Sequence, residues 1–473
     1  MVGVPRVESL NFDQEDGIVV FKKSPLSNEV ICEFMEPTKE SITKGIENLR
    51  RSVGNVEDLG IVKRAKILMN LADNLENSKE EFAQIVHKEI GKPIKLGLAE
   101  AEAAASFMRS LAGAAMFQSG EVIPSATRRK LVTYESRPYG LAVLIVSFNT
   151  PLPNYAWKLA PAWLAGNGIV LKPSEHTPLS ARLFLDKCIE SGMPRESLGL
   201  LFGGAEVGKH LVRQEFELLS FTGSLSVGLS IQEASTKVMR KTILELGGSN
   251  PIIVFSDANL DHAVENVVQS AFSNSGQRCA SGSRLYVEQN IYADFLLKLK
   301  NRISQLKVGI EVGDEIGTLV DQNALIVYQD FLDQCKNIGK VWIADSSSSN
   351  PNAHIAPPAI VEMKATDPLF GEELFVPILR VASFDTAEQV LEYANSSKYG
   401  LTAAVWTKRL TLIELFRRGL NAGVLNFNGP THGAEFQFPF GGARNSGNGT
   451  KEVGIGSLDE YSFKQIVTID FSN

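Results

Sequence analysis

Leu141-Ala142-Val143-Leu144-Ile145-Val146-Ser147-Phe148 is an almost unbroken apolar run, entered from Gly140 and left through Asn149-Thr150-Pro151. A helical pattern over 153–165 follows, then a second short run, Gly168-Ile169-Val170-Leu171-Lys172, and a second helical pattern over 179–190. The unit recurs at 198–202 with a helix from Glu206, recurs at 218–222 with a helix from Ser226, and closes with a run at 242–246. Strands covered on both faces read as continuous apolar runs, so this repeat predicts a doubly wound α/β domain built on a parallel sheet. Open sheets of this kind take ligands at the carboxyl ends of their strands.

Working outward, the boundary between two domains is expected at Gly247-Gly248, because paired glycines end a strand and permit a sharp change of direction. Beyond it lies a second α/β region. Its strand candidates are 252–255, 285–287, 359–363, 378–384, 401–406 and 424–427, with helical patterns at 259–273, 291–306, 321–338, 386–396 and 409–419. Before Gly140, residues 1–30 read as an irregular arm with short strands, and apolar residues recur at helical spacing over 41–76, 80–90 and the Ala-rich 98–118. Residues 131–138 and 463–471 alternate, as exposed strands do, and a terminal strand of that type often pairs with another element or subunit.

At 473 residues the chain exceeds the roughly 250 to 300 at which one core stops growing, so at least two domains are expected. A net charge of −7 argues against a general nucleic-acid footprint, and the short basic patch Arg128-Arg129-Lys130 reads as solvated surface. No apolar run approaches the roughly 18 residues that span a bilayer, and the N-terminus lacks a signal pattern, so no membrane partner is expected. Four dispersed cysteines without CxxC spacing suit reduced thiols in a cytoplasm, and six scattered histidines form no metal motif.

One cysteine differs from the others in its setting. Cys279 follows the polar, glycine-containing turn Ser273-Asn274-Ser275-Gly276-Gln277-Arg278 and precedes a strand-like run at 283–287, a setting in which a thiol can be accessible and reactive. Phe221-Thr222-Gly223-Ser224-Leu225-Ser226-Val227-Gly228 sits at a strand-to-helix junction, where free N–H groups and the helix dipole favour a pyrophosphate. It is not GxGxxG, and by spacing alone it reads as a helix-start turn or as a phosphate loop. Glu245 lies about 20 residues on, where a dinucleotide fold places a ribose-binding acid, and it also stands at a strand end where it could face a cleft as a base.

Taken together these segments resemble the aldehyde dehydrogenase superfamily over almost the whole chain. Phe148-Asn149-Thr150-Pro151 with Trp157-Lys158 is similar to the family's Asn-containing loop and helix, and Leu171-Lys172-Pro173-Ser174-Glu175 to its adenosine-ribose motif. Phe221 to Gly228 resembles the pyrophosphate turn, Leu244-Glu245-Leu246-Gly247-Gly248 the general-base motif, and Gly276-Gln277-Arg278-Cys279 the nucleophile motif. Glu372-Glu373-Leu374-Phe375-Val376-Pro377 resembles the nicotinamide-ribose motif and Pro439-Phe440-Gly441-Gly442 the closing motif.

The resemblance implies a Rossmann-type cofactor domain over 1–121 and 139–246, an α/β catalytic domain over 247–445, and a small β oligomerisation element over 122–138 and 456–473, with a homodimer or homotetramer as the assembly. It implies NAD(P)-dependent oxidation of an aldehyde through a thiohemiacetal and a thioester on Cys279. Glu245 would be the base, Asn149 with the Cys279 N–H the oxyanion donors, and Lys158 a support or proton relay. Cofactor contacts fall to Lys172, Ser174, Glu175, Gly203, Phe221, Thr222, Gly223, Ser224, Leu246, Glu373 and Phe375, and no metal is implied. Glu175 can bond ribose hydroxyls and repel a 2′-phosphate, which predicts NAD over NADP.

Departures from the pattern bear on substrate. Thr150 stands where many members have an aromatic residue, and Arg278 where others carry small or apolar groups, so a polar or carboxylate-bearing aldehyde is expected among Thr150, Trp157, Arg278 and Phe440. Neighbouring residues of an extended segment point in opposite directions, which leaves open an Arg278 that faces away. Val376 replaces a usual glycine, the 448–452 segment is one residue longer than the common form, and Glu452 is given no role. A CoA-acylating dehydrogenase and an inactive NAD-binding scaffold are the rival readings.

Overall fold

The computed structural model describes residues 4–117, 120–345, 350–433 and 435–472. The apolar runs around Leu141 form a five-stranded sheet in the spatial order Lys241–Glu245, Leu218–Thr222, Leu141–Ile145, Gly168–Lys172, Leu198–Leu200. Every neighbouring pair in it is parallel. All residues of Leu141–Ile145 and Gly168–Lys172 are buried, as expected of strands covered on both faces. The strand order reverses direction at Leu141–Ile145, whose successors lie on one side and whose later neighbour Leu218–Thr222 lies on the other. That reversal opens a crevice at the carboxyl ends of these two strands.

The helix Pro151–Ala165 leaves that crevice with Pro151 in its first turn, where a missing N–H costs nothing, and stops at Gly166 with φ of 103°. Its Trp163 is fully buried and its indole N–H donates to the Arg64 carbonyl at 3.0 Å. Arg64 in turn donates to the Leu164 and Val56 carbonyls, so the N-terminal helices are fastened to the back of the cofactor sheet.

Between Glu245 and Asn250 the chain crosses into a seven-stranded sheet ordered Lys340–Ile343, Ala359–Glu362, Ile378–Phe384, Gly282–Glu288, Asn250–Val254, Thr402–Trp406, Val424–Phe427. Only the first pair is antiparallel. The strand Lys340–Ile343 was not foreseen: it has four residues, none buried, and therefore lacks the apolar run by which its neighbours are read. The region 41–76 is likewise two helices, Lys39–Glu57 and Gly60–Asn77, parted where Gly60 takes φ of 70°. The Ala-rich helix runs Ile94–Ala115, and position 118 lies outside the described residues.

The alternating segments pair with each other. Ser462–Asp470 lies antiparallel to Lys130–Pro138, from Ser462 opposite Pro138 to Asp470 opposite Lys130, with Glu121–Val122 on the far side. Two N-terminal strands, Ile18–Lys23 and Val30–Glu36, make the substance of the arm. Among the described residues no helix is long and apolar enough to cross a membrane.

Candidate active site

Where the two large sheets face each other a cavity of about 1140 Å³ is lined by Cys279, Glu245, Asn149, Lys172 and Glu373. Cys279 reaches it through an unusual turn. After the helix Leu260–Phe272, Asn274, Ser275 and Gly276 take φ of 55°, 56° and 70°, a left-handed succession that non-glycine residues adopt only when their surroundings compel it. The surroundings are specific: Gln277 accepts the Val320 N–H at 2.9 Å and donates to the Thr318 carbonyl at 3.1 Å, and Asn274 donates to the Gln277 carbonyl at 3.2 Å. A Cβ on Gly276 would lie 2.5 Å from the Val376 carbonyl oxygen, so the nucleophile turn packs directly on the loop that carries Glu373. The Cys279 carbonyl accepts Asn250 Nδ2 at 2.7 Å.

Cys279 is half-buried. Burial first, then the charges of Glu245 and Glu373, push its thiol up to about 12, against the opposing pull of Arg278. The resting sulfur is therefore protonated, and a base or cation must act when chemistry begins. Glu245 ends the strand Lys241–Glu245 and is buried, with neither carboxylate oxygen partnered among the described residues. Burial, then the neighbouring Glu452, hold it well above the usual carboxylate range, while Lys158 and Lys451 oppose the shift. A buried carboxylate without hydrogen bonds is costly, and its occurrence on a cavity wall marks a group waiting for a partner.

Asn149 is oriented by hydrogen bonds on its acceptors. Ser147 Oγ donates to Asn149 Oδ1 at 2.7 Å, Asn154 Nδ2 supports Ser147 Oγ at 3.1 Å, and Asn274 Nδ2 donates to the Asn149 main-chain oxygen at 3.2 Å. With the amide oxygen occupied, Nδ2 is left as a donor on a residue that lines the cavity. Lys158 stands behind the wall rather than on it. Its ammonium forms a fully buried ion pair with Glu452, which does line the cavity, and donates to Ser220 Oγ at 2.9 Å, where Tyr461 OH also donates at 2.9 Å. Glu452, given no role from sequence, thus joins the constellation.

At the other end of the cavity the residues fit a dinucleotide. The helix Leu225–Thr236 points its first turn at it, and Gly228 is the first N–H bonded back, to Ser224, so the N–H groups before it are free of helical partners. Thr222 Oγ1 is buried without a partner at the same mouth. A Cβ on Gly223 would lie 2.4 Å from the Phe221 ring, which keeps that turn bare. Ala205 and Val212 face Val227, Ile231 and Ala234 across an apolar slot of the kind that takes a flat base. Lys172 is buried and donates to the Gly203 carbonyl at 2.6 Å, Ser174 and Leu246 line the wall, and Glu175 is exposed at the rim, accepting Ser174 Oγ at 3.4 Å. Gly203 is not among the lining residues; it adjoins Gly204, which is, and it accepts Lys172. Glu373 Oε1 accepts the Gly248 N–H at 3.0 Å, and Phe375, at φ of 59°, sets its ring edge-on to Phe148 with centroids 6.0 Å apart.

Another part of the cavity is walled by Thr150, Trp157 and Phe440, the two rings 6.3 Å apart. Arg278 faces this space: it lines the cavity, its guanidinium has no hydrogen bond or ion pair among the described residues, and its Nε is buried. Glu100 and His432 stand on the same walls and were not foreseen. Glu100 is one of two glutamates in the Ala-rich helix, and nothing in the sequence separates it from Glu102. His432 sits in a loop with no pattern; burial, then Arg278, push it down to about 4, so its ring is neutral.

Two sheets meeting at a dinucleotide crevice with a cysteine on its wall define an NAD(P)-dependent oxidoreductase. The chain belongs to the aldehyde dehydrogenase family, whose model matches residues 13–467. It is 31% identical to a D-glyceraldehyde dehydrogenase (NADP(+)) of Thermoplasma acidophilum over 97% of this chain and 94% of that one. It is 33% identical to a betaine aldehyde dehydrogenase of Bacillus subtilis over 93% and 91%. Among solved structures, PnpE of Pseudomonas sp. WBC-3 in complex with nicotinamide adenine dinucleotide superposes with a TM-score of 0.94 at 29% identity, covering 100% of this chain and 98% of that one.

Proposed function

We propose that the enzyme oxidises a small polar, carboxylate-bearing aldehyde to the acid through a covalent thioester on Cys279, with NAD preferred over NADP. The observation that carries the reaction is the unpartnered, buried Glu245 on the same wall as Cys279 and the free Asn149 amide. Glu245 takes the Cys279 proton, directly or through a water, and the thiolate adds to the aldehyde carbon. The alkoxide that forms is met by Asn149 Nδ2 and the Cys279 N–H, donors fixed before it forms. A bound NAD supplies the hydride acceptor. The Glu452–Lys158–Ser220 chain takes that first proton off Glu245, which then draws a proton from water as it attacks the thioester; the carbon–sulfur bond breaks, the acid leaves, and the Cys279 thiolate recovers this second proton.

The substrate reading rests on charge. The Glu100 carboxylate is paired with Lys92 and also attracts Arg278, so these three groups leave one net positive charge in a largely apolar chamber. A carboxylate on the substrate satisfies it with charge-assisted hydrogen bonds. The relatives are named for different aldehydes and for different cofactors, so neither choice is taken from them. Glu175 at the ribose end supports NAD. The unpaired outer edge of Ser462–Asp470, with Phe463, Ile466 and Ile469 exposed, supports a homodimer or homotetramer joined through this sheet.

The test is a panel of short neutral aldehydes and semialdehydes followed by NADH absorbance, with wild type and Arg278→Ala. The proposal expects kcat/KM to favour acidic aldehydes by about tenfold or more and Arg278→Ala to erase that preference through KM. Equal KM values for both classes in both proteins would refute it.

A further inference from the structure

We infer that Lys92 is a positioning residue for the oxyanion donor: it pins the Asn149 main chain and is itself held by Glu100 on the substrate wall. The inference rests on the role given to Asn149 above.

Lys92 sits in the short link between the helices Lys79–Ile90 and Ile94–Ala115, and its ammonium is completely enclosed. It forms an ion pair with Glu100 Oε1 and donates to the Asn149 carbonyl oxygen at 2.6 Å. The same carbonyl accepts Asn274 Nδ2 at 3.2 Å, from the turn that carries Cys279. One peptide oxygen therefore joins three pieces of chain: the loop of the oxyanion donor, the nucleophile turn and the helix that bears Glu100. With Ser147 on the side-chain oxygen, both oxygens of Asn149 are held, which fixes the direction of its remaining amide N–H₂.

An enclosed ammonium is not a cheap way to fill space. Replacing a buried ion pair by apolar residues is often neutral or favourable, so stability alone gives little reason for Lys92. Fixing a donor is a stronger reason, because an error of about 1 Å at a reacting centre costs on the order of 10²-fold in rate. Glu100 extends the arrangement to the substrate: it lines the cavity, and its Oε2 is buried without a partner while Oε1 is engaged by Lys92.

The test is a double-mutant cycle between Lys92→Met and Asn149→Ala, with kcat measured on the best aldehyde and the rate of Cys279 alkylation by iodoacetamide measured alongside. Alkylation passes through no oxyanion, so it reads the nucleophile without the donor. The inference expects Lys92→Met to lower kcat about tenfold with KM for NAD and alkylation unchanged. In the Asn149→Ala background, already down about 10²–10³-fold, Lys92→Met should cost less than about twofold more. Losses that multiply, alkylation that falls in step with kcat, or a Lys92→Met enzyme with wild-type kcat beside an impaired Asn149→Ala overturn the inference alone. Wild-type kcat in Asn149→Ala overturns instead the reading of Asn149 on which it rests. Should the lone Glu100 carboxylate prevent Lys92→Met from folding, the cycle is run in Glu100→Gln, which removes that charge, and is judged by the same outcomes.

Discussion

Lys158 and Glu452, 294 positions apart in the chain, form a buried ion pair immediately behind the carboxylate of Glu245. Removing one member leaves the other charge enclosed and unpaired, so Lys158→Met should lower the free energy of unfolding by about 3–5 kcal/mol. Lys158→Met/Glu452→Leu should recover most of that loss. Denaturant unfolding of the three proteins checks this, and a double variant less stable than Lys158→Met would contradict it.

Glu245 sets the pH dependence. Its folded-state pKa is raised by burial and by Glu452, so it stays protonated above the range in which ordinary carboxylates ionise. As a base it must be ionised, and acid release should therefore climb with pH through a pKa well above 4.5, a limb absent from Glu245→Gln. Stability runs the other way. A raised pKa contributes stability that is present below the unfolded-state value and is lost as pH rises through the folded-state value. Thermal melts from mildly acid to alkaline pH should accordingly show wild type losing more stability than Glu245→Gln.

Cofactor choice tests the rim. Glu175 is exposed beside Ser174, and in the proposed reading its carboxylate bonds the adenosine ribose and repels a 2′-phosphate. The kcat/KM ratio of NAD to NADP should be about tenfold or more, and Glu175→Gln should move it toward unity mainly by improving NADP. Lys172, Lys209 and Arg213 line the cavity and offer a phosphate cations once that charge is gone. An unchanged ratio in Glu175→Gln would show that the carboxylate does not select.

What could be read from sequence followed from local pattern. The five strands of the cofactor sheet announce themselves because both faces are covered, and in Leu141–Ile145 and Gly168–Lys172 only the final Lys172 is a residue that solvent would choose. Where an element is exposed or its continuity is interrupted by one glycine, pattern fails, as at Lys340–Ile343 and at Gly60. The site divides in the same way. Cys279, Glu245 and Asn149 lie in motifs whose neighbours give them away. Glu452, Lys92 and His432 act through partners far off in the chain, and Lys158 finds Glu452 only after both sheets have formed. Gly203, expected among the cofactor contacts, accepts the ammonium of Lys172, which lines the cavity.

The covalent step offers the most direct measurement. Wild-type enzyme, mixed with NAD and a preferred aldehyde and quenched in acid within the first turnover, should carry an acyl group on the peptide that contains Cys279, and Glu245→Gln, which lacks the base for both steps, should carry far less. The added mass should be that of the aldehyde less the two hydrogens lost on oxidation, and Cys279→Ser should show none and no turnover. An adduct on another residue, or wild-type NADH production by Cys279→Ser, would contradict the account.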